Sequence, residues 1–168
     1  MRRTVLSPLP IVALALIALI SGCAKKQPLP DNNAQLGIGT GAGTATPGSQ
    51  QDFAVNVGDR VFFTVDSSSL TAQSRATLDK QAAWLQRYPN YAITVEGHAD
   101  ERCTREYNIA LGARRAAATR DYLASRGINR GSIRTISYGK ERPVAVGNDI
   151  ASLNQNRRAV TVLGGAGS

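Results

Sequence analysis

Tyr91-Ala92-Ile93-Thr94-Val95-Glu96-Gly97 runs into His98-Ala99-Asp100-Glu101-Arg102-Cys103-Thr104-Arg105 and on into Glu106-Tyr107-Asn108-Ile109-Ala110-Leu111-Gly112. This stretch decides the fold class. Ile93 and Val95 alternate with Thr94 and Glu96, the two-residue period of a half-buried strand. From Glu106 to about Arg126 the apolar residues Ile109, Ala113, Ala116 and Leu123 recur at helical spacing, and Gly127 follows as a C-terminal cap. The segment from His98 to Arg105 has neither period and reads as a loop. A strand, a loop and a helix in that order make half of an α/β unit.

Working outward, the same alternation of strand-like and helix-like segments continues on both sides. Arg60-Val61-Phe62-Phe63-Thr64-Val65 is β-branched and aromatic and reads as a buried strand. Thr71 is placed to cap a helix in which Leu78, Ala82 and Leu85 keep helical spacing, with Pro89 stopping it after Tyr88. Further strands are expected at Ile133–Tyr138 and Arg158–Leu163, joined by a loop bearing Gly and Asn. The order is β-α-β-α-β-β. It predicts an α/β (α+β) two-layer sandwich over residues 58–164, large enough to hold its own core, with residues 165–168 as a loose tail.

The 168-residue chain carries 20 Lys plus Arg against 12 Asp plus Glu, one His and two Cys, for a net charge of +8. A basic pI near 10.1 raises nucleic acid as a partner, so the location of the charge matters. Arg2 and Arg3 precede an apolar run from Ile11 to Ile20 and then Ser21-Gly22-Cys23, the layout of a secretory signal over residues 1–22. Ten apolar residues fall short of the ~20 needed to span a bilayer. Removing this segment leaves +6. Residues 24–52 cancel internally, so the excess lies in residues 53–168, scattered rather than clustered. An exported chain with dispersed arginines does not suit nucleic acid. One His and two Cys also leave no multi-histidine metal site and no disulfide framework, and no cofactor motif is read.

Ile20-Ser21-Gly22-Cys23 resembles the bacterial lipobox. The resemblance implies cleavage after Gly22, an S-diacylglyceryl group on Cys23 and a fatty-acyl (palmitoyl) group on its new amino terminus. Several acyl chains exceed the two signals that stable anchoring requires. Residues 23–57 then form the lipidated terminus and a tether. With Pro28, Pro30, Pro47 and a Gly-Thr-Ala run, 24–52 lacks aromatic residues and cannot bury enough surface to repay ordering. A disordered tether of that length reaches roughly 30 Å.

The candidate functional residues gather where strands end. Asp66 follows the first strand and Asp100 the second; in one sheet both carboxylates emerge at the same edge, beside helix amino termini. Asn108, Leu111 and Arg115 are spaced by three and four residues, so they share a helix face, read as distinct from the core stripe. Two acids, an amide, an aliphatic side chain and a guanidinium around one cleft suit a zwitterion: carboxylates for an ammonium, Arg for a carboxylate. Each piece has an ordinary alternative, Asp as a turn residue, Arg115 as a solvated surface charge, Leu111 as core.

The block Val95–Arg102, continuing through Glu106–Gly112 to Arg114-Arg115-Ala116, resembles the OmpA-like domain of the peptidoglycan-associated lipoproteins. Ser137–Pro143 and Asn156–Val160 also match that family's pattern, and the similarity spans about Val61 to Leu163. The resemblance implies noncovalent binding of the peptidoglycan stem peptide at its diaminopimelate residue, with Asp100 and Arg115 as the central pair and Asp66, Asn108 and Leu111 around them. It implies no enzymatic activity, a place in the cell outer membrane with the domain in the periplasm, and membership of the Tol-Pal system with TolB and TolA as partners in envelope invagination during division. Ala24 after Cys23, with no Asp there, fits outer-membrane sorting.

Two departures from the family pattern stand out. Cys103 occupies a position where the family has Gly; if that Gly serves a positive φ, Cys costs on the order of 1 kcal/mol of strain. With Cys23 acylated, Cys103 has no intrachain partner, which makes it a candidate for oxidation or for linking two chains, although the ordinary expectation for a lone Cys is a buried, inert thiol. Val65-Asp66-Ser67-Ser68-Ser69 is also less bulky than the family loop. Against these readings stand a Cys103–His98 hydrolase, which needs a base in hydrogen-bond reach of the thiol, and a flagellar-stator relative, which needs an inner-membrane helix.

Overall fold

The computed structural model describes residues 45–164; the signal segment, Cys23, residues 24–44 and the tail 165–168 lie outside them. A short helix α1 (Gln50–Asp52) continues into a π-helical turn (Phe53–Gly58) and is followed by β1 (Arg60–Phe62) and α2 (Ala72–Arg87). Then come β2 (Ile93–His98), α3 (Arg105–Ser125), a 3-10 turn, β3 (Ile133–Gly139), α4 (Ile150–Asn156) and β4 (Arg158–Leu163). The four strands form one sheet in the order β1-β4-β2-β3. β2 and β3 are parallel, and β4 runs antiparallel between β1 and β2. With α2 and α3 packed on one face, this is the expected two-layer sandwich.

The caps are built as the sequence dictates. Thr71 Oγ1 accepts from Ser74 N–H at 3.1 Å and starts α2. Gly127, at φ +93°, ends α3 in a Schellman motif: its N–H donates to Ala124 O (3.0 Å) and Ile128 N–H to Leu123 O (3.2 Å). Leu78, Ala82 and Leu85 are buried with Phe63, Val95 and Leu123 in a single core.

Four expectations change. The folded unit takes in residues assigned to the tether (23–57): Phe53 is buried against Trp84, with ring centroids 5.0 Å apart, and Asp52 Oδ2 accepts from Trp84 Nε1 at 2.8 Å. One aromatic residue placed opposite another recruits a segment whose composition alone gives no driving force. The first strand is not buried throughout, because β1 is an edge strand of three residues whose Phe62 faces solvent. The loop before β4 contains a helix, α4, capped where Asp149 Oδ1 accepts from Ser152 N–H at 3.0 Å. On α3, Ala113 is exposed; the buried stripe is Asn108, Leu111, Gly112, Arg115, Ala116, Thr119 and Leu123. The polar face and the core face are therefore one continuous surface, since a helix turns 100° per residue and both sets lie toward the sheet.

β2 and α3 touch at two glycines. A Cβ added at Gly97 would collide with the Gly112 carbonyl oxygen, and one added at Gly112 would collide with Ser137 Oγ. This contact sets how far α3 stands from the sheet, and hence the depth of the cleft at the end of β2.

Candidate functional site

β2 ends in a bulge at Gly97/His98, after which Ala99 N–H donates to Gly139 O at 2.8 Å and the chain leaves the sheet. The next residue is Asp100. Four residues later Thr104 caps α3 by accepting from Tyr107 N–H at 3.3 Å. The loop between is pinned on both sides: Asn108 Nδ2 donates to Arg102 O (2.5 Å), and Lys140 Nζ donates to Glu101 O (3.2 Å) and Cys103 O (2.8 Å). Its backbone is thereby fixed relative to α3 and the end of β3.

Asp66, Asp100, Asn108, Leu111 and Arg115, the five residues singled out from the sequence, all line one pocket of about 170 Å³. Val65, Arg102, Cys103 and Tyr107 complete it. Asp66 sits in a turn at φ +53°, a conformation Asp tolerates better than most residues, and accepts a hydrogen bond from the Tyr107 hydroxyl. That bond raises the Tyr107 pKa above its ordinary value. Asn108 and Leu111 are both buried.

Asp100 is buried and doubly paired. Its Oδ2 accepts from Arg102 Nη2 at 2.5 Å and from Arg157 Nη1 at 3.1 Å. Burial alone would raise its pKa, but hydrogen bonds from the two guanidiniums outweigh burial and hold it below the usual carboxylate value. It is a fixed negative charge at neutral pH.

Arg115 is not the solvated surface charge that a helix arginine ordinarily is. Its accessibility is 0%. Nε donates to Ser67 O (2.9 Å), Nη1 to His98 O (2.8 Å) and Nη2 to Thr64 O (3.2 Å), with the guanidinium carbon 5.3 Å from the Phe63 ring centroid. Burial pushes its pKa down to about 10, partly offset by Asp100, so it stays charged. The guanidinium fork ties the loop after β1 to the end of β2 and so holds Asp66 and Asp100 in one cleft.

Two residues of the pocket, Arg102 and Tyr107, and one behind it, Arg157, do not emerge from spacing. Arg157 reaches Asp100 from 57 residues further along the chain and also donates to Phe63 O at 3.2 Å. Its signal is faint: Arg157 and Arg158 stand together between α4 and β4, both buried, and no local period marks either as interior. Arg102 and Tyr107 lie inside the quoted block, but only the fold shows that one reaches Asp100 and the other Asp66.

Cys103 is exposed rather than buried, and its φ is +69°, so the strain expected of a side chain at a glycine position is present. The hydrolase alternative fails on geometry. His98 is buried, neither of its ring nitrogens has a hydrogen-bond partner, and Cys103 is exposed at the pocket rim. Burial, reinforced by Arg158 and Arg142, lowers the His98 pKa to about 4 and keeps the ring neutral. A larger groove of about 640 Å³ opens beside β1 and α2, but none of its lining residues is acidic, so nothing in it answers an ammonium. Among the described residues no group of His, Cys, Asp or Glu is placed to hold a metal.

The OmpA family model matches residues 62–157. A peptidoglycan-associated lipoprotein of Rhizobium meliloti (strain 1021) is 67% identical over 158 residues, covering 94% of this chain and 89% of that one. Its counterpart in Haemophilus influenzae is 47% identical over 100 residues, 60% of this chain and 65% of the relative. Among solved structures, the peptidoglycan-associated lipoprotein from Burkholderia pseudomallei is 43% identical with a TM-score of 0.61, covering 63% of this chain and 90% of that one. The C-terminal domain of Helicobacter pylori MotB has a TM-score of 0.60 at 22% identity, over 65% of this chain and 86% of that one, and shares the fold. Sequence likeness along nearly the whole chain, together with the sandwich fold, makes it a member of the OmpA family, among the peptidoglycan-associated lipoproteins.

Proposed function

We propose that the chain binds peptidoglycan noncovalently at the diaminopimelate residue of the stem peptide, with the Asp100 carboxylate receiving the side-chain ammonium. The observation that carries this is a buried carboxylate, held charged at neutral pH by two guanidiniums, in a pocket whose other walls combine guanidinium, amide and aliphatic groups. Such a mixture of charges in a pocket of about 170 Å³ matches a small zwitterion better than an extended polymer face. Cys23, acylated after removal of residues 1–22, holds the other end in the outer membrane, leaving the domain in the periplasm. The molecule then tethers the outer membrane to the wall. Through TolB and TolA of the Tol-Pal system it draws the envelope inward at division.

The test is competition. Full-length protein in detergent, bound to purified sacculi, is expected to be released by a soluble stem tripeptide ending in diaminopimelate. Undiminished retention at saturating peptide would contradict the assignment.

A further inference from the structure

Resting on that reading, Arg102 has a second use. Of the guanidiniums near Asp100, Arg115 is fully buried and committed to three backbone carbonyls, and Arg157 is 7% exposed with its Nε on Phe63 O. Arg115 lines the pocket but its guanidinium is already held by three carbonyls, and Arg157 is outside the pocket lining. The Arg102 side chain is 47% exposed, and among the described residues its hydrogen-bond partner is the Asp100 carboxylate alone. Its backbone is anchored: the N–H donates to Asp100 Oδ1 (3.3 Å), the C=O accepts from Asn108, and Lys140 holds the carbonyls on either side. A flexible arm thus turns about a fixed pivot. Without ligand the arm occupies the oxygen that an incoming ammonium needs.

We infer that Arg102 is a specificity-determining residue, which masks Asp100 in the free protein, yields it to the ligand ammonium and turns onto the carboxylate of the same ligand. Asp100 does not lose its geometry in the exchange, because Arg157 stays on Oδ2 at 3.1 Å. A ligand with ammonium alone must displace Arg102 and leaves it without an anionic partner. A ligand with both charges compensates the displacement, since its carboxylate offers the guanidinium a planar, bidentate acceptor. Diaminopimelate has that carboxylate beside its ammonium; lysine, otherwise the same side chain, does not. The masking arm therefore selects the zwitterion.

The experiment compares full-length wild type, Arg102→Ala and Arg102→Lys in detergent for calorimetric binding of two stem tripeptides, one ending in diaminopimelate and one in lysine. Wild type is expected to prefer the diaminopimelate peptide by about tenfold or more. In Arg102→Ala the preference falls to about twofold or less, because the carboxylate partner is lost and Asp100 is unmasked for lysine. Arg102→Lys is expected in between, keeping the charge but not the fork. An unchanged preference in Arg102→Ala overturns the role of Arg102 alone. Wild type that binds neither peptide overturns the diaminopimelate reading itself.

Discussion

Arg115→Ala is expected to cost about 3–5 kcal/mol of folding stability, a fall in melting temperature on the order of 10 °C or more. The variant strands the buried carbonyl of His98 and the part-buried carbonyls of Thr64 and Ser67, and removes a guanidinium packed on Phe63. Each buried acceptor left without a donor costs ~1–3 kcal/mol. Arg115→Lys should recover little, because one ammonium on a flexible stem cannot reach three carbonyls held in fork geometry. Thermal denaturation followed by circular dichroism measures both. A melting temperature within 2 °C of wild type, together with lost peptidoglycan binding, would instead make Arg115 a ligand contact with no part in the scaffold. Binding lost together with stability is expected, since without this tie the two acidic loops no longer share a cleft.

Gly97→Ala should be at least as damaging. The added methyl would meet the Gly112 carbonyl oxygen, a backbone atom in the middle of α3, and also sit 3.2 Å from Ala116 Cβ. Neither side can give by rotating a side chain, so the helix must lift off the sheet and open the core around Val95 and Leu123. Overpacking of this kind typically costs 1–3 kcal/mol where side chains can adjust, and more is expected with backbone on both sides. The informative control is Gly127→Ala, at φ +93° but with only Gln86 nearby. It should lose ~1 kcal/mol from the backbone alone. Equal, small losses for both variants would mean that β2 and α3 have slack at this contact.

What could be read in the sequence, and what could not, follows from the range of the forces involved. The helix from Ala72 to Arg87 was legible because its signals are local: a Thr cap, apolar residues a turn apart, and Pro89 two residues beyond its end. Gly127 was legible for the same reason. Strand order was not, since the placing of β4 between β1 and β2 joins segments about 100 and 65 residues apart, and no local period records that. Phe53 shows how this affects boundaries: a Gly- and Pro-rich neighbourhood hid one anchor whose partner, Trp84, lies 31 residues on.

The site divides the same way. Asp66 and Asp100 could be placed at one sheet edge because each follows a strand, and Asn108, Leu111 and Arg115 on one face because helical spacing fixes that. Sequence spacing gives directions but not depth. It places Arg115 on the pocket face, where the structure also has it, but not the three bonds that its buried guanidinium makes to backbone carbonyls. Arg157 was invisible as a site residue because its partner is 57 positions away. Three of the surplus positive charges, Arg115, Arg157 and Arg158, turn out to be interior groups. That part of the positive excess is internal scaffold.

The central claim, that Asp100 receives the ligand ammonium, is tested most directly by co-sedimentation of full-length Asp100→Asn with purified sacculi in detergent. The amide keeps the shape of the side chain and still accepts from Arg157, but it carries no charge to hold an ammonium. Retention should fall by about 30-fold or more, the size of losing one member of a desolvated charge pair, read at a temperature where circular dichroism shows the variant folded, because the buried Arg157 loses its charged partner and the melting temperature falls. Undiminished retention by a folded Asp100→Asn protein would contradict the account.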